Sequence, residues 1–199
     1  MKLYRYLTLG SFLELIELKR MYFTNLNNWE DPWELPVKHR KSSGLEETLL
    51  GQCWTSQGVS DAVWKMYGKN KEGILVETSV NKFNLLCNIP KSFLCPVIYY
   101  DNLNETLNYI ESLDNEMKIF YHGILKRIAF KHEKEVRLIS YLDKTMDSEQ
   151  KNLAISVDPY AFIENIYIDP RANHWFVDTI KAYCIRCNLN ITPQKSDLF

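Results

Sequence analysis

Two glutamates separated by one residue, Glu133 and Glu135, with Arg137 two positions further on, are the side chains of this sequence whose type and spacing best suit chemistry. Side chains of a β-strand alternate between faces, so residues two and four apart share a face. Two carboxylates held side by side repel, which raises at least one pKa unless a cation such as Arg137 compensates. So costly an arrangement implies a use. With Asp31 the pair offers hard oxygen ligands for a divalent metal, the set that a metal-dependent nucleic-acid-processing enzyme needs. The same run, with Lys131 and Lys134, also fits a solvated edge strand whose charges only balance one another, and spacing alone leaves these readings open.

Arg5 lies between Leu3 and Leu7, with Tyr4 and Tyr6 on the opposite face, so both faces of this segment read as largely buried. A buried guanidinium needs an anion, either a structural carboxylate or a bound phosphate gripped in bidentate geometry. Thr55 and Ser56 follow Trp54 at the end of a short apolar run, where hydroxyls cap a turn or bind a ligand. Tyr4, Tyr6, Trp54, Trp64 and Tyr67 can stack on a planar ring or fill a core. Cys184 and Cys187 form the one CxxC. It lacks a second pair at zinc spacing, and on a helix the two thiols share a buried face.

The elements that must position these groups alternate between strand and helix. Leu3–Leu7 reads as a strand, Ser11 starts a helical periodicity, and Met21–Thr24 reads as a second strand. Asn25–Pro36, with its prolines, is expected to be irregular, and Asn28–Glu34 an ordered loop near the site. Gln52–Ser56 closes on turn residues, Ser60 caps a helix through Tyr67, and Gly68 and Gly73 bracket a turn into a strand at Ile74–Thr78. After a brief helix comes a strand at Pro96–Tyr100. Apolar residues from Leu107 to Ile128 recur at steps of three and four, which predicts one helix from Glu105 to about Phe130 feeding a strand at Glu133–Ile139. Strands near Ala154–Val157 and Ile163–Ile168, a helix from Asn173 to about Cys187 and a strand at Leu189–Thr192 complete the reading. Strands and helices of irregular spacing favour α+β with a small mixed sheet and flanking helices over a doubly wound parallel sheet.

The 199 residues show no linker or composition shift, so one domain spanning 1–199 is expected. A formal net charge of −1 excludes a global field drawing the chain to nucleic acid, and leaves a local patch at Lys126, Arg127, Lys131 and Lys134. The N-terminus lacks a signal-peptide pattern and no window has the apolar length to span a bilayer, so no membrane association and a cytoplasmic location are expected. Five scattered cysteines then read as reduced thiols. Neither GxGxxG nor GxxxxGK[ST] occurs, which argues against Rossmann and P-loop nucleotide sites.

In order along the chain, Leu3-Tyr4-Arg5-Tyr6, Asn28-Trp29-Glu30-Asp31-Pro32-Trp33-Glu34, Cys53-Trp54-Thr55-Ser56, Trp64-Lys65-Met66-Tyr67-Gly68 and the stretch from Lys126 through Glu133-Lys134-Glu135-Val136-Arg137 resemble a bacterial family of uncharacterised domains. Its pattern runs L-Y-[RK]-Y, N-D-P-[FW]-E, C-F-S, W-x-x-Y and E-x-E-x-R. An N-terminal strand Arg, a strand-end Ser/Thr and a late E-x-E are also similar, more distantly, to the Arg, Ser-Thr-Ser and Glu-x-Glu triplet of ADP-ribosyltransferases. That resemblance implies a split α+β sheet and NAD as substrate. Arg5 would hold the NAD phosphates or ribose and Thr55 or Ser56 the nicotinamide ribose, while Tyr4, Trp54, Trp64 and Tyr67 would contact the bound NAD. Glu135 would be catalytic and Glu133 would orient the acceptor. Trp54 stands where the first serine of Ser-Thr-Ser is expected, so the ribose-binding hydroxyl stays open between Thr55 and Ser56. Small enzymes of this class are often toxins or antiphage effectors acting on RNA, DNA or protein, sometimes held by an antitoxin partner. A non-catalytic interaction module of the same fold is the alternative.

Overall fold

The computed structural model describes residues 1–29, 48–86, 92–142 and 152–197. In chain order the elements are β1 (Lys2–Leu7), α1 (Leu9–Glu17), β2 (Arg20–Asn25), β3 (Thr48–Thr55), α2 (Asp61–Tyr67), β4 (Ile74–Ser79), α3 (Val80–Leu86), β5 (Ser92–Pro96), β6 (Ile98–Tyr100), α4 (Leu103–Glu111), α5 (Asn115–Ile124), β7 (Leu125–Arg127), β8 (Glu135–Leu142), β9 (Asn152–Ser156), α6 (Pro159–Phe162), β10 (Asn165–Ile168), α7 (His174–Arg186) and β11 (Gln194–Lys195). The class is α+β, with mixed pairing and flanking helices. Two compact units form from interleaved segments, one from 1–21, 54–88 and 154–199, the other from 22–53 and 89–153. Because each unit is assembled from separated stretches, no linker or change of composition marks a boundary.

In the first unit β4 lies between β1 and β10, antiparallel to both, and β11 adds parallel to β10. Leu3, Leu7, Ile74, Val76, Ile166 and Ile168 fall on one face of these strands and are buried. Thr8 starts α1, its Oγ1 accepting the Ser11 N–H at 3.2 Å in place of a missing helical partner. Phe12, Leu15 and Ile16 form the buried stripe of that helix.

In the second unit β8 pairs with β5 along its length, from Ser92 opposite Ser140 to Pro96 opposite Val136, and also with β3. β6 and β7 make a short parallel pair, Ile98 opposite Leu125. Leu26, Leu49, Ile124 and Ile139 form a core on which Trp29, Phe93 and Phe120 pack.

Several expected elements differ, among them the Pro96–Tyr100 strand, which falls across the end of β5 and β6. The single helix from Glu105 to Phe130 is two helices, a strand and a 3₁₀ segment. Ser112 Oγ donates to the Tyr109 carbonyl at 2.6 Å, and Asp114 Oδ1 accepts the Met117 N–H at 2.9 Å, capping α5. These short polar side chains compete for backbone groups and break the helix although the apolar period runs on. Beyond Ile124, pairing with β6 draws Leu125–Arg127 into a strand. The terminal strand is Gln194–Lys195 rather than Leu189–Thr192, and β10 starts at Asn165, after Pro159–Phe162 has formed α6. Of the expected Asn28–Glu34 loop, Asn28 and Trp29 are described, and Asp31, Pro32 and Trp33 lie outside the described residues.

Candidate functional site

Lys126, in the middle of β7, is the point on which the carboxylates of Glu133 and Glu135 converge. After β7 a 3₁₀ segment, Ile128–Glu133, turns the chain back, and Lys134 takes a left-handed conformation (φ 44°, ψ 50°) before β8 begins at Glu135. This reversal sets both glutamates on one ammonium. Lys126 Nζ donates to Glu133 Oε2 at 2.8 Å and to Glu135 Oε2 at 2.7 Å. Arg137 Nε donates to Glu135 Oε1 at 2.7 Å, and its Nη1 donates to the carbonyls of Gly123 and Leu125 at 3.1 and 3.2 Å. The Arg137 side chain therefore ties the end of α5 to β8 while it holds Glu135. The Trp29 ring lies 4.4 Å from the guanidinium, a cation–π contact. Tyr99 Oη accepts the Glu135 N–H at 2.9 Å, and the Cys53 thiol hydrogen-bonds the Glu135 side chain.

The set is almost closed to water. Glu135 is 4% exposed and Arg137 0%, and Lys126 and Glu133 are also buried. The solvated-edge reading is overturned, because β8 has strand partners on both sides and both of its faces are buried. Glu135 and Arg137 share a face, as strand alternation requires. Glu133 does not belong to the strand, and the turn through Lys134, rather than alternation, brings it to Glu135. Burial pulls the Glu135 pKa upward, but the charges of Arg137 and Lys126 and the hydrogen bonds from Arg137 and Cys53 outweigh it and bring it down to about 2. The carboxylate is thus ionised throughout the neutral range. Such a group suits stabilisation of a neighbouring positive charge and is poorly suited to donating a proton.

The residues expected to contact a cofactor belong to the first unit. Arg5 is half-buried, its guanidinium 5.8 Å above the Trp54 ring. Trp54 is buried, edge-on to Phe83 and Phe162. Trp64, 0% exposed, packs under Tyr6, and Tyr6 stacks on Tyr67, which is 47% exposed. The Tyr67 side chain and the Thr8–Gly10 turn line a cavity of about 240 Å³ with Lys69, Asn70, Glu72 and Gly73. Thr55 is buried and its Oγ1 accepts the Gln57 N–H at 3.0 Å, a local turn bond, while Ser56 is exposed. Tyr4 sits opposite both Thr55 and Glu77.

Glu77 is a feature that the sequence reading passed over. It is 1% exposed and accepts from Lys2 Nζ at 2.7 Å, Asn165 Nδ2 at 3.1 Å and Tyr167 Oη at 2.9 Å. A carboxylate within the apolar run Ile74-Leu75-Val76-Glu77 was the available signal, since such a group is buried only when paired. Tyr99 and Cys53 were also missed, being far from Glu135 in sequence and joined to it only by strand packing. Among the described residues no group of three or more His, Cys, Asp or Glu side chains has the geometry to hold a metal ion. No described helix is long and apolar enough to cross a membrane.

Over residues 63–138 the chain matches the model of a family described as "Protein of unknown function (DUF2971)". The matched stretch takes in Trp64–Gly68 and the run from Glu133 to Arg137, which fits the resemblance to a family of uncharacterised domains. No curated protein and no solved structure matches the chain.

Proposed function

We propose that the chain is an NAD-dependent mono-ADP-ribosyltransferase with a split α+β sheet, in which Glu135 stabilises the reacting ribose and Glu133 orients the acceptor. The observation that carries this reading is an almost fully buried Glu135 held by Arg137 and Lys126 with a second carboxylate on the same ammonium. Breaking the nicotinamide–ribose bond develops an oxocarbenium ion, and a fixed negative charge beside it lowers that barrier. Arg5, Tyr4, Trp54, Thr55, Ser56, Trp64 and Tyr67 enter the proposal through the resemblance, as the residues that bind NAD. A protein or nucleic-acid acceptor, a role as toxin or antiphage effector and an antitoxin partner belong to the same proposal.

Nicotinamide release and ADP-ribosyl transfer from labelled NAD, measured side by side, test it. Glu135→Gln keeps the shape and removes the charge, so both are expected to fall by on the order of 10²–10³. Glu133→Gln is expected to impair transfer more than release. Protease and nuclease digestion of the labelled lysate identifies the acceptor class. Wild-type rates in the Glu135→Gln protein would falsify the mechanism. The saturation of Glu135 by Arg137, Lys126 and Cys53 favours a second reading, a non-catalytic interaction module in which the cluster is a structural tie. In that case the wild-type protein releases no nicotinamide.

A further inference from the structure

Lys126 has no role in the E-x-E-x-R pattern, yet its ammonium donates to both glutamates of the pair. We infer that Lys126 is a positioning residue whose single ammonium holds the carboxylates of Glu133 and Glu135 facing one point and compensates their like charge. The shared ammonium carries the inference. Among the described residues, the groups facing Glu135 include Glu133 from the 3₁₀ segment, Arg137 on its own strand, Lys126 from β7, the Cys53 thiol from β3 and the Tyr99 hydroxyl from β6. Glu133, Glu135 and Lys126 are buried, so water screens their charges only weakly. Arg137 is committed by geometry to Glu135 and to the carbonyls of Gly123 and Leu125. Without the Lys126 ammonium, two like charges that now meet on one nitrogen face each other, and one must take up a proton. The 3₁₀ segment and the left-handed turn at Lys134 supply the reach, placing Glu133 seven residues from Lys126 and within 2.8 Å of it.

The consequence for turnover rests on the reading of Glu135 as the charge that stabilises the reacting ribose, whereas the ionisation itself does not. The experiment therefore has two readouts on the full chain: the side-chain carboxyl titration of ¹³C-labelled glutamates by NMR, and nicotinamide release from NAD as a function of pH. In Lys126→Met one carboxyl of the pair is expected to titrate about one pH unit or more higher than in the wild type, at least tenfold in proton concentration. The acid limb of nicotinamide release should move with it. Lys126→Arg should titrate like the wild type, since a guanidinium also bridges two carboxylates. The double variant Lys126→Met/Glu133→Gln removes one charge of each sign, and should restore the low titration of Glu135. A structural role for Lys126 alone predicts no such rescue. A Lys126→Met protein that titrates like the wild type overturns the inference, and so does a double variant that is shifted, or unfolded, as much as the single one. If the titrations behave as expected and the wild type releases no nicotinamide at any pH, the NAD reading fails and the role of Lys126 stands.

Discussion

His122, in α5, is a buried imidazole whose Nδ1 has no hydrogen-bond partner among the described residues. Burial lowers its pKa to about 4, with Glu111 pulling upward and Lys118 downward. Between about 6.5 and 4 the unfolded chain therefore binds a proton that the folded chain refuses, and stability falls as pH falls through that window. The unfolding constant should rise by up to about tenfold per pH unit there. His122→Phe should flatten this dependence, as read by urea midpoints at pH 7 and pH 5. A slope that persists in that variant would place the effect outside His122. Gly51 makes a steric prediction. A Cβ there lies 2.7 Å from Trp29 Cζ2, 2.8 Å from Leu26 Cδ1 and 3.1 Å from Ile139 Cδ1. Gly51→Ala should cost about 1–3 kcal/mol by overpacking. Because Trp29 also covers Arg137, its fluorescence should report the displacement of the ring.

At the scale of elements, the turn into β8 decides whether the carboxylates meet. Lys134 holds φ at 44°, a conformation that Cβ sterics penalise and that β-branched residues resist most. Lys134→Val should therefore cost about 1–2 kcal/mol in urea unfolding, with Lys134→Gly close to neutral. A different device holds α2. Arg171 Nη2 donates to the Trp64 carbonyl at 2.8 Å, and Arg171 Nε to the buried Asp169 at 2.9 Å, so one side chain caps the helix end and neutralises a buried acid. Arg171→Ala removes the guanidinium from that acid and leaves it the backbone N–H of residue 171, and a loss of about 3 kcal/mol is expected in thermal or urea unfolding. A loss below about 1 kcal/mol would mean that water replaces the cap. The helix α2 that Arg171 closes was legible from Ser60 onward. The Arg171 cap was not, because it reaches back 107 positions in sequence.

On the whole-molecule scale, the described residues of each unit include a deeply buried carboxylate held below its ordinary pKa of 4.5, Glu77 in the first and Glu135 in the second. Burial opposes this in both cases. It is outweighed by Lys2, Tyr167 and Asn165 at Glu77, and by Arg137 and Lys126 at Glu135. A carboxylate with a depressed folded pKa contributes stability that is complete above about pH 4.5 and lost as pH falls through the folded value. For Glu135 that window runs from about 4.5 to about 2. Acid unfolding below pH 4.5 should therefore be less steep in Glu77→Gln than in the wild type, as followed by circular dichroism. An unchanged slope would place the acid sensitivity outside the Glu77 cluster.

Local patterns alone determined the class, the strands β1 and β4, the helices α1, α2 and α7, and the run from Glu133 to Arg137 as the place to look. Hydrophobic periodicity and charge spacing are short-range properties and carry through where no tertiary contact competes, although Ser60 stands at the N-cap of α2 without a side-chain capping bond. Tertiary structure decided the remainder. It broke the helix predicted at Glu105–Phe130 by polar capping at Ser112 and Asp114 and by pairing Leu125–Arg127 with β6. It enclosed Glu133–Arg137, where spacing had left a solvated edge open, because β3 and β5 cover both sides of β8. It also brought Lys126, Tyr99, Cys53 and Trp29 to Glu135 and Arg137, side chains up to 108 positions apart in sequence that only the packing of strands can join.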